Sequence, residues 1–449
     1  MRTVPRPLVR VARGRFHVCS SLLLAAGCSF DPSGSGAGGA DGVADGAPGE
    51  ADARVCEVPI SASFAINGIP AGADDPLLSV RVGDTLELDA GASCTANGTA
   101  QYTWTLSSAE MATTALPGLT ARAVAVFSPL AGTHTISLTV SDGVATSDPV
   151  TANVEVVGWE QPAGDLDVRG VATTPGAVWI AATGGAYVQA IGALDLQATA
   201  VNDLADGDDD VPNDLQAVFA DEAGFVWYGH KPADDTVWRV DADPIFLAQV
   251  NAVDFADSSG LGDSAVRDIG ATAGGVALAT DNGVSVTANG TSFAAPISEE
   301  NVFAVDGEWA GGAELHLLAQ PGTVMPFGAG DNRIRAVLDT GGGVWVGSDD
   351  AGIARVTAGG SLADGPFVMP ELPSNKIRAL VADADGDVWA ATDAGVVRYK
   401  QDRGAWFAMG AAQGLTGALD VRALAVGHSL GRDFVIAGTS TGLAILTTP

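Results

Sequence analysis

Apolar and polar residues alternate through most of this chain, in short runs separated by glycine, aspartate and proline. Between residues 78 and 157 the runs include LSVRV, QYTWTL and THTISLTVS, in which every second side chain is apolar. A period of two residues is typical of β-strands with one buried face. We therefore predict an all-β protein, and about 100 residues of such strands around Trp104 predict an Ig-like β-sandwich over residues 55–157.

The last 290 residues or so repeat one pattern: strand, Asp/Gly turn, strand with a large apolar residue, Gly turn, strand. IRALVADADGDVWAATDAGVVRYK begins at Ile377 and IRAVLDTGGGVWVGSDDAGIARV at Ile334. Weaker copies begin at Val168, Leu215, Val266, Val302 and Val421. The copies start about 42 residues apart on average, which is the length of a four-stranded propeller blade. This predicts a β-propeller over residues 158–449, with seven blades, or six if the Val302 copy is an insertion.

The two ends of this region are complementary. The last copy stops without a fourth strand, whereas GWEQPA (158–163) precedes the first copy without a blade of its own. We expect these two segments to pair, because closure of the ring removes an open sheet edge.

Two segments resemble known families. LPSNKIRALVADADGDVWAATDAGVVRY (372–399) resembles the two-component regulator propeller repeat of periplasmic sensor domains in bacterial hybrid histidine kinases. This resemblance implies a propeller and, with it, small-ligand or glycan sensing. GDTLELDAGAS, YTWTL and AGTHTISLTVSDG resemble PKD and related Ig-like domains of bacterial surface proteins, which serve as spacers or adhesive modules.

The N-terminus predicts export. Residues 1–27 hold five arginines, no acid and the apolar run FHVCSSLLLAA, which is too short to span a membrane. LLLAAGC resembles the lipobox of bacterial lipoproteins, which implies cleavage before Cys28, acylation of that cysteine and, with Ser29 next to it, an outer-membrane lipoprotein. The Gly-, Ala- and Asp-rich residues 28–54 predict a flexible tether. Cys56 and Cys94 then remain as a predicted disulfide, because disulfides persist outside the cytoplasm.

The chain is strongly acidic, with a net charge of −32. A surface of this charge repels nucleic acid, so we exclude a nucleic-acid partner. The acidic run NDLADGDDDVPND (202–214) resembles the calcium loops of thrombospondin type 3 and dockerin-like repeats. Asp206, Asp208 and Asp210 are therefore candidate calcium ligands, with a solvated acidic loop as the alternative, and calcium is the one cofactor that the sequence suggests.

Two further motifs are better explained as turns. DADGDV (383–388) resembles half a calcium loop, but other copies have TTPG, DEAG or DTGG at this place, so the repeat requires a turn there. GHSLG (427–431) matches the nucleophile elbow of lipases and esterases. It lies between two predicted strands, and no histidine follows His428 to act as the base. We therefore predict a hairpin turn rather than a catalytic serine.

One repeat position is rich in arginine. The second residue of the first strand is arginine in five copies: Arg169, Arg267, Arg335, Arg378 and Arg422. First strands line the channel of a propeller, so these side chains are predicted to form a ring. One hypothesis is a collar that binds an anionic or polyhydroxyl ligand by forked hydrogen bonds. The alternative is that each arginine pairs with an aspartate and ties blades together.

These features together favour a membrane-anchored extracytoplasmic binding or scaffold protein that presents a propeller to a small-molecule, glycan or protein ligand. Its predicted partners are the membrane, through the N-terminal lipid anchor, and that ligand. Two other functions stay open at this point. One is a propeller enzyme, a lyase or glycan-active hydrolase with catalytic residues on its loops. The other is a purely structural envelope protein.

Overall fold

The computed structural model describes most of the chain from residue 54 onward: residues 54–55, 60–71, 78–108, 114–115, 123–127, 131–161, 165–190, 199–200, 215–230, 237–241, 253–255, 265–288, 292–298, 301–325, 333–429 and 432–447. The predicted signal peptide, the tether up to residue 53, Cys28, Cys56 and the candidate calcium loop at 202–214 lie outside these residues. Within them the regular structure is β, apart from the short 3-10 helix Ala411–Gln413. None of their helices is long and apolar enough to cross a membrane.

Residues 60–157 form two sheets around one core. The five-stranded sheet has the order Leu78–Arg81, Val150–Val157, Gly132–Ser141, Gln101–Ser108 and Thr114–Ala115. The four-stranded sheet has the order Ile69–Pro70, Ala65–Ile66, Thr85–Asp89 and Ala123–Phe127. Strand Arg54–Val55 pairs with Cys94–Thr95. Trp104 lies edge-on to Phe64 with ring centroids 5.2 Å apart, and side chains of both sheets meet in this core.

Seven sheets follow, one for each copy of the repeat, and we number them as blades 1 to 7 in chain order. The blades and their strands are blade 1 (Val168–Thr174, Ala177–Ala182, Gly185–Ala190, Thr199–Ala200), blade 2 (Leu215–Ala220, Phe225–His230, Val237–Asp241, Val253–Phe255), blade 3 (Val266–Thr272, Gly275–Thr280, Gly283–Thr287, Ala294–Ser298), blade 4 (Ala304–Asp306, Trp309–Gly311, Leu315–Leu317, Gln320–Met325), blade 5 (Ile334–Asp339, Gly343–Ser348, Ile353–Thr357, Leu362–Phe367), blade 6 (Ile377–Ala382, Val388–Thr392, Gly395–Lys400, Ala405–Met409) and blade 7 (Val421–Ser429, Arg432–Thr439, Gly442–Thr447). The all-β prediction is confirmed, and the Val302 copy forms blade 4 rather than an insertion.

Burial within a blade falls from the inside outward. Every residue of the second strand Gly343–Ser348 is buried, whereas the outermost strand of the same blade, Leu362–Phe367, is largely exposed. Inner strands pack against neighbouring blades on both faces, and this is why they read as continuous apolar runs. The recurring tryptophans, such as Trp179 and Trp389, lie fully buried in these second strands.

The propeller closes on itself. Each first strand neighbours the first strand of the next blade, and blade 7 neighbours blade 1. Blade 7 has three strands in the described residues, and Glu160 completes it. The Glu160 N–H donates to the Ile445 carbonyl at 2.8 Å, and the Ile445 N–H donates back at 2.7 Å. The predicted pairing of residues 158–163 with the last copy is therefore present.

The two-sheet segment is docked onto blade 6. Arg398 of blade 6 is fully buried, and its guanidinium donates to Asp84 of the two-sheet segment at 2.7 Å and to Asp387 at 3.0 Å. Gly83, at φ +81°, lies so close to Phe407 and Met409 that an added Cβ would come within 2.8 Å of both side chains. The segment predicted as a spacer therefore contributes side chains to the core of the propeller's sixth blade.

Candidate functional site: the central channel

The first strands of all seven blades enclose a channel of about 1110 Å³. Its wall is built in layers because equivalent residues of the repeat lie at equivalent heights. We call the outermost layer the collar; its members, in blade order, are Arg169, Gln216, Arg267, Phe303, Arg335, Arg378 and Arg422. Two positions further along each strand lies an apolar ring: Val171, Val218, Ile269, Val305, Val337, Leu380 and Leu424. The channel thus has a charged mouth with an apolar ring next to it.

Backbone bulges position the collar. Arg335 lies between Ile334, which pairs with Ser348, and Ala336, which pairs with Gly347, so Arg335 is the extra residue of a β-bulge. The collar residue has this position in six of the seven blades, with blade 4 as the exception. A bulge changes the direction of the side chain at the unpaired residue. In these six blades, the residue at the bulge is the one whose side chain lies in the channel wall.

Three collar arginines share two carboxylates across blades 6, 7 and 1. Asp420 forms an ion pair with Arg378 at 2.7 Å and accepts a hydrogen bond from the Arg422 Nε–H at 3.1 Å. Asp167 pairs with Arg422 and lies 3.5 Å from Arg169. The chain of ion pairs crosses the junction between blade 7 and blade 1, so it joins the last blade to the first.

The other two arginines lie on either side of an aromatic ring. Phe303 occupies the collar position of blade 4, with the Arg267 guanidinium 4.7 Å and the Arg335 guanidinium 4.3 Å from its ring centroid. Arg267 is paired with Asp281, and the Arg335 Nε–H donates to both oxygens of Asp349 at 3.0 Å. Cation–π contacts and ion pairs together fix the orientation of both guanidinium groups.

The structure places all five arginines in ion pairs and in the channel wall. Each of the five pairs with an aspartate, as the blade-tying hypothesis expects, and their side chains are 22–30% exposed. All five also line the channel. Of their carboxylate partners, Asp349 is among the described residues that line the channel, and Asp167, Asp281 and Asp420 are not. The ion pairs orient the arginine side chains at the channel wall.

Two acidic residues in the channel wall were not predicted from the sequence. One position beyond the collar, six blades have glycine or alanine and blade 3 has Asp268. Asp306 of blade 4 also lines the channel, at the height of Gly270 in blade 3 and Leu338 in blade 5. A comparison of the seven copies position by position could have found them, because each is the one acid in an otherwise apolar or small layer.

Both acids have raised pKa values. Burial raises the pKa of Asp268 to about 7, and the Asp306 carboxylate adds to the rise, although the backbone N–H groups of Val305 and Ile269 oppose it. Burial likewise raises the pKa of Asp306 to about 6, with a further rise from Asp339. The Val305 N–H donates to Asp268 at 2.9 Å, and the Asp339 N–H donates to Asp306 at 2.8 Å. Each acid therefore also connects its blade to the next.

DADGDV forms a turn, as predicted, whereas Gly427, His428 and Ser429 of GHSLG lie within the first strand of blade 7. Asp383 of DADGDV accepts from the Trp389 indole N–H at 2.9 Å, just as Asp221 of blade 2 accepts from Trp227 at 2.8 Å. Ser429 ends the first strand of blade 7 opposite Arg432, in a hairpin between two strands. Within the described residues no group of three or more His, Cys, Asp or Glu side chains could hold a metal. The calcium prediction for Asp206, Asp208 and Asp210 and the lipidation of Cys28 lie outside those residues.

Comparison with known proteins supports the repeat. The two component regulator propeller family matches residues 371–394, which run from the loop before blade 6 to the turn after its second strand. No curated protein matches the chain.

Three solved structures are similar in fold. Two are the extracellular domain of one B. thetaiotaomicron protein, described once as a candidate one component system and once as a candidate hybrid two component system. They are 15% and 14% identical, each with a TM-score of 0.37, and each match covers 64% of this chain and 39% of the other. The chain therefore spans well under half of that domain. The third, the computationally designed protein Ika8, is 14% identical with a TM-score of 0.43; the match covers 65% of this chain and 99% of that protein.

Proposed function

We propose that this protein is an extracytoplasmic, lipid-anchored binding protein whose propeller holds a small anionic ligand at the channel mouth. The observation that carries this proposal is the collar: five arginines line a channel of about 1110 Å³ in a chain of net charge −32. Guanidinium groups are suited to carboxylate and phosphate because their N–H donors match two oxygens at once.

The anchor and the architecture support presentation outside the cytoplasm. The N-terminus resembles a lipoprotein signal, and the tether that follows would separate the folded part from the membrane. The matched repeat belongs to a family of two component regulator propellers, which supports ligand binding or sensing by the propeller.

The collar offers a clean test. Asp167 and Asp420 both remain paired with Arg422 when Arg169 and Arg378 are removed. The double variant Arg169→Gln/Arg378→Gln therefore removes two cations from the mouth without leaving either carboxylate unpaired. Arg403→Gln/Arg432→Gln, at two positions outside the channel lining, is the control for the change in net charge.

The probes are glucuronate and glucose, which differ in one carboxylate, titrated by calorimetry at low salt. We expect glucuronate to bind the wild type and the control at least tenfold more tightly than glucose, because the collar pairs with its carboxylate. The collar variant should lose this preference. Equal binding of glucuronate by the collar variant, or a failure of glucuronate to bind the wild type, would overturn the proposal and favour a purely structural protein.

A propeller enzyme is the second candidate, and Asp268 favours it. A carboxylic acid with a pKa near neutrality can act as a general acid or base. This function predicts that the protein releases products from a uronate-containing polysaccharide and that Asp268→Asn abolishes the release while glucuronate still binds.

A further inference from the structure

The charges around the channel are unevenly distributed between its two sides. On blades 6, 7 and 1 the cations lining the channel are Arg378, Arg422, Arg169 and Lys376, and the carboxylates paired with them are Asp420 and Asp167. Cations therefore outnumber carboxylates on this side, which we call the cationic wall.

The opposite side has the reverse balance. On blades 3, 4 and 5 the arginines at the mouth are Arg267, Arg333 and Arg335, all within 5.5 Å of the Phe303 ring centroid. The acids of the same blades that line the channel or pair with the collar are Asp268, Asp281, Asp306, Asp349 and Asp350. We call this side the acidic wall; it is net negative when Asp268 and Asp306 are ionised.

Asp268 and Asp306 do more than join blades. One oxygen of each accepts a backbone N–H from the next blade. A carboxylate has further acceptor capacity, about four lone-pair sites in all. An asparagine would make the same inter-blade hydrogen bond without placing a charge in an apolar wall, so that bond alone does not require an acid.

We propose that the channel binds a short peptide with free ends, its carboxylate held by the cationic wall and its ammonium group by Asp268 and Asp306. This rests on the proposed function, since it uses the same collar. The apolar ring of Val171, Leu380 and their equivalents suits the apolar body of such a peptide, and a volume of about 1110 Å³ has room for several residues. An ammonium group next to Asp268 would form an ion pair with its carboxylate in a partly desolvated part of the channel wall.

The change of ligand affinity with pH would show whether the ligand presents an ammonium group or a carboxylate to the acidic wall. The charged groups on the elements packed against Asp268 are Arg267 on its own strand, Asp281 after the second strand of blade 3, and Asp306 and Glu308 on blade 4; the blade after that carries Asp339 and Arg335. Blade 2 contributes Gln216 and, at the end of its second strand, His230. Burial holds the pKa of Asp268 at about 7, so this group gains a proton as the pH falls below 7.

Whether affinity falls or rises with decreasing pH depends on whether the ligand prefers the ionised or the protonated form of Asp268. A peptide ammonium group binds the ionised acid, so affinity should fall as the pH drops below 7, by up to tenfold per pH unit. A ligand with only a carboxylate is repelled by the ionised acid, so its affinity should rise over the same range.

The test uses trialanine, N-acetyl-trialanine and trialanine amide, titrated by calorimetry into the full-length protein at pH 7.5 and pH 5.5. Acetylation removes the ammonium group and amidation removes the carboxylate. We expect trialanine to bind at least tenfold more tightly than either capped peptide at pH 7.5 and to weaken at pH 5.5. Asp268→Asn should remove most of the preference for the free amino group and the pH dependence, whereas the exposed control Asp148→Asn should change neither.

The outcomes separate the two proposals. If N-acetyl-trialanine binds as tightly as trialanine, and glucuronate still binds through the collar, the acidic wall has no part in recognition and the peptide proposal is wrong while the proposed function stands. If neither glucuronate nor any of the three peptides binds the wild type, both proposals are wrong. Thermal melting of Asp268→Asn confirms that the variant is folded before its binding is interpreted.

Discussion

The buried arginine at the junction gives the sharpest test of how the two-sheet segment is attached. Arg398 is fully buried and contacts Asp84 of that segment and Asp387 of the DADGDV turn. Its guanidinium carbon also lies 4.8 Å from the Trp389 ring centroid. Asp387 is itself 3% exposed. Although burial acts to raise the pKa of Asp387, the Lys400 hydrogen bond, the Gln401 N–H and the charges of Arg398 and Lys400 hold it below its usual value.

The perturbation is Arg398→Met, which keeps the length of the side chain but removes its charge. Removal of one partner of a buried ion pair leaves the other charge uncompensated, at a cost of about 3–5 kcal/mol. Lys400 stays within 2.7 Å of Asp387 and compensates in part. We therefore expect a loss of about 3 kcal/mol in the free energy of unfolding, at the lower end of that range.

The matched control is Arg403→Met at the same junction. Arg403 lies 3.6 Å from Glu87, whose side chain is 75% exposed, so the pair is screened by water. Exposed pairs of this kind contribute about 0–1 kcal/mol, and the control should change stability by less than 1 kcal/mol.

The assay is urea unfolding at pH 7, followed by tryptophan fluorescence, because Trp389 is adjacent to Arg398 and reports on this junction. The double variant Arg398→Met/Asp387→Asn should be more stable than Arg398→Met alone, since it removes a buried carboxylate that Lys400 compensates only in part. If Arg398→Met is as stable as Arg403→Met, or if Asp387→Asn adds further destabilisation to Arg398→Met, the electrostatic account of this junction is wrong.

Three further perturbations test other parts of the molecule. The pKa of Asp268 is raised to about 7, so its contribution to stability is largest at acidic pH and is lost as the pH rises through about 7. Asp268→Asn should therefore stabilise the protein by about 2 kcal/mol at pH 8 and have little effect at pH 4. The measurement is the melting temperature as a function of pH. Gly83→Ala should destabilise by about 1–3 kcal/mol in urea unfolding, because the new methyl group meets Phe407 at a backbone angle of φ +81°; an unchanged midpoint would contradict the close packing seen there. Glu160→Pro removes the N–H that donates to Ile445 and should cost about 3 kcal/mol and expose the closure to protease, whereas Glu160→Gln should behave as wild type.

Much of the fold was predictable because the signals are local. Alternation along Gln101–Leu106 marks a strand whose Tyr102 and Trp104 are buried, and the structure shows this burial. Turn chemistry is equally local: Asp383 and the indole it accepts from are six residues apart. The unpaired ends of the repeat predicted closure through residues 158–163, and Glu160 makes it.

The candidate site was predictable only in part. The position of the five arginines within the repeat placed them on the channel wall, but their aspartate partners could not be assigned from a chain with 54 acidic residues. Asp268 and Asp306 gave no signal in composition or motif, because their raised pKa values arise from burial and from carboxylates of the next blade, Asp306 for Asp268 and Asp339 for Asp306. The docking of the two-sheet segment was also missed: it was predicted as a spacer, and a contact between Asp84 and Arg398, which are 314 residues apart, has no counterpart in a local pattern.

By itself, the sequence determined the β-strands, the period of the blades and the turns between them, since each depends on residues within a few positions of one another. Only the tertiary structure decided which carboxylates pair with the collar, which acids line the channel and where the two-sheet segment attaches. The physical reason is that desolvation and charge pairing depend on distance in space, and the ring brings together residues from all seven blades at one channel.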